Sequence, residues 1–149
     1  MKALTLKPDY AAYILHGLKQ FETRPKSVST KFRGDLVIHA GVSWATADHR
    51  RWLRLIGKFP EMKRAFPTNR QGYIAEPRQG AGLCIVTVVD IVPVTDVFDV
   101  LTPLEIAVGD YSDNPKNPRY AWKLENVRPF PTPIARKGQL GLWNWGEVA

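Results

Sequence analysis

The sequence predicts an α+β domain in which a strongly curled or closed β-sheet carries helices at its side, and three observations predict it. Residues 80–94 read as one long strand that is apolar on both faces, as the centre of a closed or curled sheet requires. Two stretches, 9–17 and 43–57, switch to helical periodicity with start and stop signals. Alternating strands frame the chain near both ends. With 149 residues the chain fits one domain that can bury its core without metal or disulfide help.

The elements follow in order. Met1 to Leu6 alternates apolar and polar residues and is closed by Lys7-Pro8. Asp9 is placed to cap the next helix, in which Tyr10 and Ile14, then Ala11 and Leu15, recur at helical spacing before the stop signal His16-Gly17. A strand over residues 20–25 puts Glu22 and Arg24 on one face, toward a groove, and Phe21 and Thr23 on the other. Arg33-Gly34 turns into the buried strand Asp35 to Ala40. In the 43–57 helix, Ser43 or Thr46 serves as N-cap and Trp44, Trp52, Leu53 and Ile56 face inward. Arg50, Arg51 and Arg54 fill much of the remaining surface. A short helix follows within the irregular segment Phe59 to Arg70.

In the second half, Pro103 to Val108 forms a helical turn, and Gly109 to Pro118 a polar loop with Asp110, Asp113 and Asn114. Tyr120 to Glu125 alternates as a strand, Arg128-Pro129-Phe130-Pro131 reads as turn-rich, and Gly138 to Trp145 closes the sheet.

The formal charge of +7 is unevenly distributed. Residues 1–75 hold 14 Lys/Arg against 5 Asp/Glu, whereas residues 76–149 hold 7 against 9. The first half is therefore the anion-facing half, which favours nucleic acid or a nucleotide as partner, with Arg50, Arg51 and Arg54 as phosphate contacts. The lone Cys84 sits in an apolar run and reads as an inert core thiol of a reducing compartment. No Cys/His cluster has zinc-site spacing, so neither metal nor other cofactor is expected. The N-terminus lacks a signal-peptide apolar region and no window approaches 18 uninterrupted apolar residues, so a cytoplasmic protein without membrane contact is expected.

Opposite charges converge at structured spacing in one place, Gly17-Leu18-Lys19-Gln20-Phe21-Glu22-Thr23-Arg24. The order strand, helix, Gly-x-Lys-x-x-Glu-x-Arg, Arg33-Gly34 and a strand ending His39-Ala40 resembles the ASCH domain of the PUA-like superfamily. Gly109-Asp110-Tyr111-Ser112, Arg119-Tyr120-Ala121-Trp122 and Gly138-x-Leu-Gly-Leu-Trp143 resemble the C-terminal signature of bacterial and phage ASCH proteins. The resemblance covers nearly all of one domain, 1–149, and leaves 44–79 as a basic helical insertion. It implies a small PUA-like β-barrel with flanking helices and a cleft beside the motif. It also implies RNA, single-stranded nucleic acid or a modified nucleoside as ligand. Small bacterial members of the family act as amidohydrolases on N4-acetylcytidine, and others are associated with RNA cleavage. The amidohydrolases carry a threonine nucleophile three residues after the lysine, where this chain has Glu22. Thr23 is adjacent, but one step along a strand turns it to the opposite face.

Two site chemistries follow. In a binding domain, Lys19 or Arg24 holds a phosphate or base oxygen and Glu22 accepts from an exocyclic amine. Tyr120, Trp122 or Trp143 then offers a stacking face, with Asp110 and Arg119 nearby. In a hydrolase, desolvated Lys19 acts as base while Glu22 or Asp110 activates water or handles the leaving amine. A protein-interaction barrel with merely solvated charges is the third reading. His39 and His49 receive no functional role.

Overall fold

In the computed structural model, which describes residues 1–147, β1 (Lys2–Leu6) leads directly into α1 (Pro8–Leu15). Pro8 is suited to the first helical position because its missing N–H would be unpaired there anyway. Lys7 takes the cap position and Asp9 lies inside the first turn. Asp9 does not cap; its buried carboxylate accepts two hydrogen bonds from Arg51, at 3.0 and 2.8 Å. α1 ends as the His16-Gly17 signal anticipates, with Gly17 at φ 73°.

β2 (Phe21–Pro25), β3 (Gly34–Ala40), β4 (Ala81–Pro93), β5 (Arg119–Ala135) and β6 (Leu142–Asn144) join β1 in one six-stranded sheet of order β2-β5-β4-β3-β1-β6. β1 and β3 are parallel and the other pairs antiparallel. The sheet curls into a half-barrel, an α+β barrel-like fold. Its two edges, β2 and β6, are not paired with each other. Arg24 bridges part of the gap by donating from Nη2 to the Thr5 carbonyl at 3.0 Å.

Leu4, Leu6, Ile14, Leu36, Ile38, Cys84, Val86, Val88, Ile91 and Trp122 fill the inside of the curl. Burial pushes the Cys84 thiol up to about 12, which keeps it protonated and inert. β4 does not keep the simple alternation its sequence suggests. Register shifts between Gly82 and Cys84 and between Val88 and Asp90 bring Leu83 and Ile91 into the same core as Cys84, Val86 and Val88. β5 runs through the expected turn at 128–131. β2 pairs only with residues 119–123 of β5, so the exposed Pro129, Pro131 and Pro133 fall where that edge of β5 needs no N–H donors for β2. Gly138 to Leu140 lie outside β6, in coil.

A second core lies among α1, α2 (Thr46–Lys58) and α3 (Pro60–Ala65). Neither Ser43 nor Thr46 caps α2; Ala45 takes that position, and its N–H donates to Asp48 at 2.8 Å. The Ala45 N–H and the Lys7 ammonium pull the Asp48 carboxyl down to about 2. Trp52, Leu55 and Ile56 form the buried stripe, Trp44 is half-buried, and Leu53 points outward at 42% exposure. A 3-10 turn over Val94–Val100 and α4 (Pro103–Ala107) complete the helices. Among the described residues no helix is long and apolar enough to cross a membrane.

On the outer face of the sheet, His39 is fully buried. Its Nε2 lies 2.6 Å from the Arg136 carbonyl, which can only accept, so Nε2 carries the proton. Nδ1 therefore accepts from the Thr5 hydroxyl at 3.2 Å, while Thr5 Oγ1 accepts from Trp143 Nε1 at 3.0 Å. Burial lowers the His39 pKa despite its bond to Arg136. Below about pH 6.5 the unfolded chain thus binds the proton first, and this contribution to stability is lost as pH falls toward the folded value. An NMR titration of the His39 ring is expected to show a midpoint below 6.5; a midpoint above it would contradict this assignment.

Candidate functional site

The motif is built by the end of α1. Beyond Gly17 the N–H groups of Leu18 and Lys19 both donate to the Tyr13 carbonyl, at 2.8 and 3.3 Å, and this turns the chain so that the Lys19 side chain runs inward. Lys19 is 2% exposed, and its ammonium donates to the Val108 carbonyl at 2.7 Å and lies 3.6 Å from Glu22 Oε1. Glu22 is 6% exposed; its Oε1 accepts the Thr23 N–H at 3.2 Å and its Oε2 accepts from Arg24 Nε at 2.9 Å. Gly109 permits this arrangement. A Cβ there would come within 2.7 Å of the Tyr111 ring and 3.3 Å of Lys19 Nζ.

Lys19, Glu22 and Arg24 are thus brought together as a cation, carboxylate, cation row. Burial pulls the Lys19 ammonium below the ordinary lysine range, opposed by the Glu22 and Glu105 carboxylates. Of the three, Arg24 retains the most solvent access. Glu22 does not face an open groove as a free acceptor, because its oxygens already hold internal donors.

Glu105 and two tyrosines join the row. Thr102-Pro103-Leu104-Glu105 has the spacing of a helix capping box, and Thr102 Oγ1 does accept the Glu105 N–H at 3.1 Å. The Glu105 carboxylate does not turn back to its own helix, however. Oε1 accepts the Gln20 N–H at 2.7 Å, one residue from Lys19, and burial raises the carboxyl above its ordinary range. Tyr111 is raised by burial and by the neighbouring Glu105 and Glu22 charges. The Tyr10 ring lies 5.5 Å from Lys19 Nζ and 5.0 Å from the Arg51 guanidinium. In the sequence Tyr10 reads as a helix residue, Glu105 as part of a helical turn and Tyr111 as part of the family-like Gly109-Asp110-Tyr111-Ser112 stretch, and none of these signals an approach to Lys19.

The remaining predicted residues divide. Asp110 and Arg119 come together at 3.3 Å, and Arg119 also donates to the Thr23 carbonyl at 2.7 Å and to its hydroxyl at 3.3 Å, tying the 110 loop to the motif strand. Tyr120 is half-buried against the inner core. Trp122 is fully buried, stacked at 6.1 Å on Phe32, and offers no face to a base. Trp143 is likewise buried, on the outer face of the sheet. Arg50 and Arg54 are exposed, but Arg51 turns inward to Asp9 and Asp48, so the three arginines do not form one phosphate-contacting row. Charge compensation decides this: buried Asp9 would otherwise lack a counter-ion.

A family model for the ASCH domain matches residues 4–134. Two solved structures are similar to this chain, an ASCH protein from Zymomonas mobilis and a tyrosine-to-phenylalanine variant of it. Each has a TM-score of 0.50 at 15% identity and covers 90% of this chain; the match spans 72% of the first and 74% of the variant. At that identity the likeness establishes the fold. No curated protein matches the chain.

Proposed function

Because this chain belongs to the ASCH domain family, a family linked to nucleic-acid and RNA interaction, we propose that it binds nucleic acid or a modified nucleotide, RNA-related, beside the Lys19, Glu22, Arg24 row. In this reading the whole chain acts as one ASCH domain in a cytoplasmic setting, with 44–79 as a basic insertion. The observation that carries it is the buried row itself. Lys19, Glu22 and Glu105 are buried and Arg24 is part-exposed beside them, an arrangement that well-packed apolar residues often replace at no loss of stability. Such clusters of perturbed groups concentrate at functional sites. The basic first half, with exposed Arg50 and Arg54 among its charges, supplies the long-range attraction.

In the proposed complex Arg24, the most accessible member, meets a phosphate or base oxygen, and Arg119 with Asp110 borders it. Lys19 and Glu22 hold Arg24 in place and set the local field. Titration of a fluorescent single-stranded RNA at rising salt is expected to weaken binding steeply, with a log-log slope of about −0.7 for each phosphate neutralised. An affinity indifferent to salt would overturn the reading.

One observation favours a second reading, an amidohydrolase or ribonuclease. The lowered Lys19 pKa brings its ammonium closer to base chemistry, with Glu22 and Glu105 as carboxylate partners. Thr23 is 4% exposed and its hydroxyl accepts from Arg119 at 3.3 Å, so this reading does not use it as the nucleophile. Product analysis of the same RNA mixtures, and of N4-acetylcytidine, separates turnover from binding.

A further inference from the structure

A cavity of about 410 Å³ lies on the outer side of the sheet, between the ends of β1 and β3 and the strap of residues 136–140. The Lys19 and Glu22 side chains do not line it. Its floor carries the Thr5 hydroxyl and the His39 imidazole, held in the single hydrogen-bond order derived above. Three features of its walls bear on what it takes.

First, the lining is largely apolar, and two of its side chains, Val42 at 76% and Leu140 at 98% exposure, stand open at the mouth. Singly exposed aliphatic residues need no explanation. Two flanking one apolar cavity give an incoming apolar body a seat. Second, every charged side chain lining the cavity is cationic, namely Lys7, Arg136 and Lys137. Asp48 offsets Lys7 in part from outside the lining, Arg136 is exposed but committed to the Trp145 carbonyl and ring, and Lys137 is exposed beside it. Third, the volume falls within the range of small-molecule sites, which are mostly apolar with a few placed polar groups.

The geometry points to a ligand site for a compact organic anion, an apolar body seated between Val42 and Leu140 with its oxyanion head toward Lys137 and Lys7. Carboxylates and phosphate monoesters share this chemistry. Neutral molecules of the same shape keep only the apolar seat, and cationic ones are repelled by Lys7, Arg136 and Lys137.

The test uses benzoate, phenyl phosphate and neutral benzyl alcohol as probes of the full chain. Binding is followed by NMR at the Trp143 indole N–H, which reports on the cavity floor through Thr5. At least one anion is expected to shift that resonance in a saturable way, with benzyl alcohol binding about tenfold more weakly or worse, the order of loss that follows from one missing charge-assisted hydrogen bond. The anion that shifts it more tightly identifies the head group. Lys137→Glu and Leu140→Asp alter exposed side chains, so the fold should persist, and each is expected to weaken the anion about tenfold. The proposal is overturned if neither anion shifts the resonance, if benzyl alcohol binds equally well, or if both variants bind like the parent chain.

Discussion

Replacing Glu22 by alanine is expected to lower the unfolding free energy by about 3–5 kcal/mol, the cost of leaving one partner of a buried ion pair behind. Lys19 would keep its bond to the Val108 carbonyl at 2.7 Å but lose the carboxylate 3.6 Å from its ammonium. Arg24 would lose its 2.9 Å acceptor at the same time, leaving its bond to the Thr5 carbonyl at 3.0 Å to orient its guanidinium. Urea denaturation measures the loss. Lys19→Met added to Glu22→Ala is expected to recover part of it, because the double variant buries no unpaired ammonium. A Glu22→Ala loss below about 1 kcal/mol, of the size seen for exposed pairs, would mean that water reaches the row.

Trp52→Ala is expected to cost about 3–5 kcal/mol through the lost burial and the cavity left behind. Trp52 is fully buried and touches three aromatic neighbours. Tyr13 stacks on it at 5.6 Å, the Phe66 ring lies 4.4 Å away, and Trp44 meets it edge-on at 6.5 Å. Because Tyr13 belongs to α1, Trp52 also fixes how α2 lies on the helix that leads into the motif. Thermal unfolding should show the loss, and Trp52→Phe should retain more stability. If Trp52→Ala unfolds like the parent, α2 does not share the core that positions the site.

Much of the fold is legible in the sequence because the elements announce themselves locally. Pro8 and the His16-Gly17 pair bracket α1, and Arg33-Gly34 introduces β3. What escapes local pattern is non-local. The register shifts in β4 depend on which partner strand each residue meets, so strict alternation misplaces Leu83 and Ile91. The proline run of β5 reads as a turn until it is known that β2 pairs only with residues 119–123 and that, among the described residues, no other strand takes that edge. Trp122 is aromatic on an alternating strand whether it becomes platform or core, and only the curl of the sheet decides for core.

The site divides in the same way. Lys19, Glu22 and Arg24 are found by spacing, and their proximity follows from eight consecutive residues. Glu105 lies more than eighty residues further along and carries a helix-capping spacing, so its approach to Gln20 has no local signal. Arg51 looks like a phosphate contact beside Arg50 and Arg54 until buried Asp9 is known to face it.

The central claim is that the Lys19, Glu22, Arg24 row marks the nucleic-acid face, and Arg24→Gln tests it most directly. Arg24 is the accessible member, and glutamine keeps a donor for Glu22 while removing the charge. The measurement is the affinity for single-stranded RNA of parent and Arg24→Gln proteins at several salt concentrations, alongside their unfolding. The account predicts folded protein, about tenfold or greater weakening at low salt, and a salt slope shallower by about 0.7, the share of one phosphate contact. Equal affinity and equal slope for the two proteins would contradict it.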